Sequence, residues 1–166
     1  MKIVRKIEIN APIEDVWKVL GDDFASVDEW MAGVGNSVEI KDGHQVQNAP
    51  VIGRMAEIAI NPGTFMDERI TAYDSDNMLL TMNTTLIKVK GPLSGYNTEI
   101  KVRSLRDKKS EVIWTTKAFL GLLGYPLYFV IKKGLSDGFF RGLEELKYFV
   151  ETGEPHERKL AAPHCG

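Results

Sequence analysis

The stretch that decides the fold reads YPLYFVIKKGLSDGFFRGLEELKYFVE and spans residues 125–151. Apolar residues recur in it at steps of three or four, a spacing that predicts one long amphipathic helix. These residues are Leu127, Ile131, Leu135, Phe139, Leu143, Leu146 and Val150. A helix with one apolar stripe needs a second layer that buries the stripe.

That second layer is predicted directly upstream, because hydrophobicity alternates with period two between Ser37 and Leu120. Turn residues such as Asp42-Gly43, Asn61-Pro62-Gly63 and Gly91-Pro92 interrupt the alternation. The pattern predicts an antiparallel meander. Its strands are expected at 37–41, 51–60, 66–73, 78–88, 95–104 and 110–119, and a first strand around residues 3–9 brings the sheet to about seven strands.

Two short helices are predicted between the first strand and the meander. Pro12 suits the first position of a helix, and the acidic residues Glu14 and Asp15 complement its dipole, so this helix is expected at about 12–20. A second helix is indicated by Phe24, Val27, Trp30 and Met31 and stops near Gly33 and Gly35. No strand alternates with a crossover helix, so the class is α+β rather than doubly wound.

This order of elements predicts an internal space. A sheet this long curls, and one helix laid in its concave face does not fill both ends, so an apolar cavity between the loops is expected. A solid core is the alternative.

The totals favour a single small domain. The chain has 166 residues and a formal net charge of −2, which gives no long-range attraction for nucleic acid or an anionic membrane. Residues 1–151 are expected to form the domain, and residues 152–166 a flexible tail, since they hold two prolines and no periodicity. The N-terminal residues lack the apolar core of a signal peptide, and no membrane-spanning segment is apparent, so a cytoplasmic location is expected.

Several kinds of chemistry have no support in the sequence. Cys165 is the single cysteine, and His44, His156 and His164 have no metal-binding spacing, so we expect no disulfide, no metal and no cofactor. The segment Gly91–Gly95 lies between strands without a following helix, so a phosphate-binding loop is not indicated.

The chain resembles the helix-grip superfamily, which includes START lipid-transfer domains, pollen-allergen-like proteins and polyketide cyclases (SRPBCC). The resemblance covers nearly all of residues 1–151. It rests on the opening Ile9-Asn10-Ala11-Pro12-Ile13-Glu14-Asp15-Val16-Trp17, on Asp28-Glu29-Trp30, Gly53-Arg54-Met55, Asp67-Glu68-Arg69-Ile70 with Tyr73-Asp74, and on Trp114. It implies a helix-grip fold that binds a hydrophobic or amphipathic small molecule.

Strand parity and the resemblance together give candidate ligand-binding residues. Arg54 shares a face with Ala56 and Ile58, and Glu68 with Ile70 and Ala72. The resemblance implies that Arg54 and Glu68 look into the cavity, either as an anchor for a polar ligand group or as a plain cross-strand ion pair.

Aromatic and apolar candidates complete the set. Tyr96 is expected to donate a hydrogen bond and Trp114 to stack on the ligand, with Phe139 and Leu143 contributed by the long helix; ordinary core packing is the alternative for each. An adaptable apolar wall is expected from Met78, Leu80 and Met82, or from Leu79 and Thr81.

Three glycines stand four residues apart on the long helix, at Gly134, Gly138 and Gly142. Each costs about 1 kcal/mol relative to alanine, so a close approach is expected there. The approaching group is a ligand, the short helices, or a partner helix in a homodimer.

The sequence thus favours a carrier or binder of a lipid, polyketide or aromatic metabolite. A cofactor-independent cyclase or dehydratase that uses Glu68, Arg54 or Tyr96 is the alternative. An interaction module built on Trp30, Tyr125, Tyr128 or Phe129 is a third hypothesis.

Overall fold

A computed structural model describes residues 1–162, except the side chains of residues 122, 123 and 125. Its strands are β1 (Lys2–Ile9), β2 (Val34–Glu39), β3 (Gly53–Ile58), β4 (Phe65–Asp74), β5 (Leu79–Ile87), β6 (Leu93–Arg106) and β7 (Lys109–Leu120). Its α-helices are α1 (Ile13–Trp17), α2 (Tyr128–Thr152) and α3 (Glu157–Leu160).

All seven strands form one antiparallel sheet in the order β1-β7-β6-β5-β4-β3-β2. The first strand therefore pairs with the last, Ile3 opposite Thr116 and Ile9 opposite Ser110. With α2 laid against it, the curved sheet has the predicted helix-grip architecture.

The inner face of the sheet and α2 enclose the core. Every second residue is buried from Tyr96 to Val102 on β6 and from Ser110 to Ala118 on β7, as the period-two pattern predicts. Ile100, Val102 and Val112 pack with Leu143 and Leu146 of α2. Along β1, polar contacts hold α2 in place: Arg5 Nε donates to the Ser136 carbonyl at 3.3 Å, and Lys147 Nζ to the Glu8 carbonyl at 2.8 Å.

The segment after β1 is less regular than predicted. The α-helix ends at Trp17 and continues as a π-helical turn over Lys18–Asp22, followed by a 3-10 helix over Phe24–Glu29. The Trp17 ring lies against Gly21, where an added Cβ would be 2.5 Å from Trp17 Cε2. The wide turn thus places a large indole over the backbone of Gly21.

The structure differs from the predicted strands in their bounds and in the side of the sheet on which one residue lies. The strands expected at 37–41 and 51–60 lie at Val34–Glu39 and Gly53–Ile58. A bulge between Ile70 and Ala72 shifts the register of β4, so Ala72 does not continue the face of Glu68 and Ile70.

The chain beyond α2 also differs from the expected flexible tail. α3 is held to the domain because Arg158 forms ion pairs with Glu144 at 2.9 Å and Glu145 at 3.0 Å. Lys159 is buried and donates to the Val34 carbonyl at 2.7 Å. Such contacts use single charges rather than a periodic stripe, which is why periodicity did not reveal them. His164 and Cys165 lie outside the described residues.

Candidate functional site

A cavity of about 210 Å³ lies between α2, the inner face of β3, β4, β6 and β7, and the segment that follows the 3-10 helix. Its walls are mostly apolar. The lining residues are Met31, Gly33, Val34, Arg54, Ile58, Met66, Glu68, Tyr96, Trp114, Gly138, Phe139 and Gly142.

The polar wall of the cavity is a buried ion pair. Arg54 and Glu68 are directly opposite each other on β3 and β4, and Arg54 Nε lies 2.5 Å from Glu68 Oε2. Arg54 Nη1 donates to the Phe24 carbonyl at 2.6 Å, and its guanidinium carbon lies 4.1 Å from the centroid of the Phe24 ring. Thr84 donates to Glu68 Oε1 at 3.2 Å.

One nitrogen of the Arg54 guanidinium, Nη2, makes no hydrogen bond within the described residues. Side-chain exposure is only 7% for Arg54 and 4% for Glu68, so each charge depends on its partner for stabilisation. Among the described residues, the hydrogen bonds of Arg54 involve Nε and Nη1, and none involves Nη2. A polar ligand atom is therefore able to join an existing charged group without either partner having to unpair.

Three aromatic side chains form the opposite part of the wall. The Phe139 ring meets Tyr96 edge-to-face at a centroid distance of 5.8 Å and lies 6.1 Å from the Trp114 ring. Such pairs favour further aromatic or conjugated groups at the same spacing. Trp114 Nε1 is buried and has no acceptor among the described residues.

Tyr96 is a hydrogen-bond donor in this environment. Its hydroxyl donates to Met66 Sδ at 3.3 Å. Burial, followed by the negative charge of Glu68, raises the pKa of the Tyr96 phenol well above its ordinary value. The phenol is accordingly neutral at physiological pH and is no phenolate base.

Five of the six predicted site residues line the cavity: Arg54, Glu68, Tyr96, Trp114 and Phe139. The sixth, Leu143, does not. It is 1% exposed and packs in the core, one turn beyond Phe139.

The flexible apolar wall comes from residues other than those expected. Leu80 and Met82 are core residues, and Met78 packs against the core, whereas Met31 and Met66 line the cavity. The sequence predicted Met31 on the second short helix, but it did not predict that the side chain lines the cavity. Met66 has the parity of Glu68, which could have identified it.

Two of the three helix glycines lie at the cavity. A Cβ added at Gly142 would meet Met31 Cε at 3.1 Å, whereas one added at Gly138 or Gly134 would meet nothing within 4 Å. Gly138 also lines the cavity, and Gly134 does not. The close approach is therefore made by Met31 at Gly142, and Gly138 leaves open space.

A second cleft of about 400 Å³ adjoins the cavity and shares Met31, Gly33, Gly138 and Gly142 with it. Its far side includes Glu145, which accepts a hydrogen bond from the Ala32 N–H at 2.9 Å. Burial raises the pKa of the Glu145 carboxyl above its ordinary value of 4.5, against the opposing effects of the Ala32 hydrogen bond and the Arg158 charge.

A larger depression of about 700 Å³ on the outer face of the sheet is a poorer candidate. Its lining is dominated by polar side chains such as Thr71, Asn83, Asn97 and Glu99, which give an apolar ligand little surface to bury.

The described part of the chain shows neither a metal-binding cluster nor a membrane-spanning helix. Within residues 1–162, no group of three or more His, Cys, Asp or Glu side chains is placed to hold a metal ion. None of the described helices combines the length and apolar content needed to cross a bilayer.

The sequence model of a family described as polyketide cyclase/dehydrase and lipid transport matches residues 1–151. The chain belongs to this family. The match spans the sheet and nearly all of α2, so every residue that lines the cavity lies within it.

Solved structures agree with the membership at the level of the fold. A START superfamily protein from Mycobacterium smegmatis has a TM-score of 0.71 at 10% identity, covering 90% of this chain and 97% of that chain. A protein from Thermobifida fusca has a TM-score of 0.68 at 22% identity, covering 94% of this chain and 97% of that chain. The di-domain ARO/CYC protein BexL has a TM-score of 0.73 at 13% identity, covering 91% of this chain and 46% of that chain. No match was found among curated proteins.

Proposed function

We propose that this family member binds a hydrophobic or amphipathic small molecule in the cavity beside Arg54 and Glu68. The observation that supports this most is the combination of an apolar wall with a charged pair whose Nη2 makes no hydrogen bond within the described residues. Burial of the apolar part of a ligand would supply affinity, and the pair would orient its polar end.

The size of the cavity limits the ligand. An apolar cavity of about 150 Å³ binds benzene. The 210 Å³ observed here would therefore accept one substituted aromatic ring or a short acyl chain. A larger ligand would need the adjoining cleft, which becomes continuous with the cavity if Met31 moves aside.

The arrangement of polar groups favours binding over turnover. Glu68 is engaged by Arg54 and Thr84, and Tyr96 is held neutral, so no strong base faces the cavity. The ring of Phe139 and the buried Trp114 Nε1 would instead provide a stacking surface and a donor for a carbonyl oxygen.

The test uses the helix glycines to block the cavity without disturbing the core. Gly138→Leu places a large side chain where a Cβ meets nothing within 4 Å, and Gly134→Leu makes the same change on the same stripe away from the cavity. Both replacements remove a helix glycine and are expected to preserve or raise stability.

Native mass spectrometry of freshly purified protein would identify any bound metabolite, and calorimetric titration with 4-ethylphenol and octanoate would measure binding. We expect wild type and Gly134→Leu to bind a probe and Gly138→Leu to lose at least tenfold in affinity. Failure of wild type to retain a metabolite or bind either probe would overturn the proposal, as would equal binding by Gly138→Leu.

A polyketide cyclase-like enzyme acting in the same cavity is the second candidate. It is favoured by one observation: the Tyr96 hydroxyl, a neutral hydrogen-bond donor able to stabilise a developing enolate oxygen, lines the cavity together with Arg54 and Glu68. Turnover of a linear polyketide substrate that is lost in Tyr96→Phe or Glu68→Gln, with binding retained, would establish it. Unchanged turnover in both variants would reject these roles.

A further inference from the structure

Apolar side chains are exposed where α2 begins. Phe129 is 82% exposed, Val130 is 71% exposed and Leu127 is 51% exposed. Phe119, near the end of β7, is 47% exposed. No described residue covers Phe129 beyond the edge contact from Tyr128, its neighbour in sequence.

Two of the chain segments that meet at this end contain no acidic residue, whereas the β3–β4 hairpin beside them contributes Glu57. Residues 77–98 and 112–136 together hold five lysines and neither Asp nor Glu, although the whole chain has 23 acidic residues against 21 Lys and Arg. The five are Lys88, Lys90, Lys117, Lys132 and Lys133. A net charge of −2 therefore conceals a strong local separation of charge.

The fold brings these segments together. Leu93 pairs with Leu120 in the sheet, and the Gly121 N–H donates to the Pro92 carbonyl at 2.9 Å, which fixes the β5–β6 loop beside the end of β7. Ser136 of α2 lies against Arg5 of β1, so the first turns of α2 extend toward the end of the sheet where β1 starts and β7 stops. We call Phe119, Leu127, Phe129, Val130, Lys88, Lys90 and Lys132 the basic apolar end.

The lysines of this end are available for an external partner. Lys88, Lys90 and Lys132 are exposed and form no ion pair within the described residues; Lys132 lies 5.8 Å from the Tyr128 ring centroid. Lys133 differs from them, because it is paired with Asp137.

Exposed aromatic and aliphatic side chains flanked by unpaired lysines match the chemistry of an anionic lipid surface. The apolar groups would enter the boundary between headgroups and acyl chains, while the lysines would reach the lipid phosphates. We propose that the basic apolar end docks the protein on anionic bilayers. This surface is distinct from the cavity: Phe129 lies ten residues before Phe139, about 15 Å along the helix.

The test is co-sedimentation of the full chain with phosphatidylcholine vesicles, with and without about one-third phosphatidylglycerol. Binding is expected to the anionic vesicles, to weaken as salt is raised, and to be at least tenfold weaker on neutral vesicles. Each lysine near such a surface contributes about fivefold in affinity, so Lys88→Glu with Lys90→Glu should reduce binding about 25-fold or more. Phe129→Ser with Val130→Ser should reduce it tenfold or more.

Matched control variants distinguish the effect of the basic apolar end from the effects of net charge and of losing any exposed apolar side chain. Lys6→Glu with Lys101→Glu makes the same charge change at exposed sites elsewhere, and Val38→Ser removes an apolar side chain that is 52% exposed. These variants should bind within about twofold of wild type, and circular dichroism should show all of them folded.

Equal binding to neutral and anionic vesicles, or equal losses in the control variants, would overturn the proposal. So would sedimentation velocity showing a wild-type dimer that Phe129→Ser with Val130→Ser converts to a monomer, in the absence of vesicle binding. None of these outcomes depends on ligand binding in the cavity, which calorimetry measures separately.

Discussion

Replacing Arg54 by methionine should strongly destabilise the protein, because it leaves the Glu68 carboxylate buried without its partner. The Glu68 side chain is 4% exposed and would keep only the hydrogen bond from Thr84 at 3.2 Å. Breaking a buried ion pair by removing one partner costs about 3–5 kcal/mol. The loss of the Arg54 bond to the Phe24 carbonyl and of its stacking on the Phe24 ring acts in the same direction.

The double variant should recover much of this loss. Arg54→Met with Glu68→Leu replaces both charges by apolar groups of similar volume, a change that is often neutral or stabilising. The single variants should therefore be non-additive, with a coupling free energy of about 3 kcal/mol between positions 54 and 68.

Urea unfolding followed by fluorescence of the three tryptophans is a suitable assay. With a slope of about 2 kcal/mol/M, a loss of about 4 kcal/mol lowers the midpoint by about 2 M urea. A loss below about 1 kcal/mol in Arg54→Met, or a double variant as unstable as the sum of the singles, would refute the reasoning. Either result would show that the two charges do not depend on each other in the folded protein.

Three further predictions concern stability. In Glu145→Gln the amide oxygen can still accept a hydrogen bond from the Ala32 N–H, but a carboxyl whose pKa is raised by burial is lost. The folded wild type holds the Glu145 proton more tightly than the unfolded chain does, so wild type should lose stability relative to the variant as pH rises above 4.5. Melting temperatures of the two proteins that run parallel across pH would contradict this prediction. Gly53→Ala should lower the free energy of unfolding by about 1–3 kcal/mol or more, because the new Cβ would lie 2.2 Å from the Glu68 carbonyl oxygen. Gly33→Ala, whose Cβ would meet nothing within 4 Å, should lower it much less. Equal losses in chemical unfolding would be inconsistent with the clash at Gly53. Leu143→Ala should lose about 2–5 kcal/mol of unfolding free energy yet still bind 4-ethylphenol, since Leu143 packs in the core rather than on the cavity. Weakened binding by folded protein would place Leu143 at the ligand.

Local patterns predicted the main elements well where one face is uniformly buried. The alternation on β6 and β7 and the stripe on α2 both arise from a single core, so period alone identified them. Parity also placed Arg54 and Glu68 on facing strands, and the structure pairs them directly. The bulge after Ile70 shows the limit of this reasoning, because one inserted residue changes the facing of those that follow.

Contacts between distant parts of the chain were not predictable from pattern. The attachment of α3 depends on Arg158 meeting Glu144 and Glu145, which lie 14 and 13 positions earlier, and charged side chains without periodicity give no sign of such pairing. The exposed start of α2 is a similar case. The spacing of apolar residues placed Leu127 on one predicted stripe with the buried Leu143, but Leu127 lies just before α2 and is 51% exposed.

The sequence by itself determined the class of the protein: an antiparallel sheet, a long terminal helix and the charged and aromatic residues at candidate positions. Periodicity is a local property of each element and follows from which face meets the core. Tertiary structure alone decided that Phe139 faces the cavity while Leu143 fills the core, and that Met31 closes against Gly142. The position of α2 along β1 determines which helix residues pack in the core and which line the cavity. That position is fixed by contacts between residues more than 100 positions apart in the sequence.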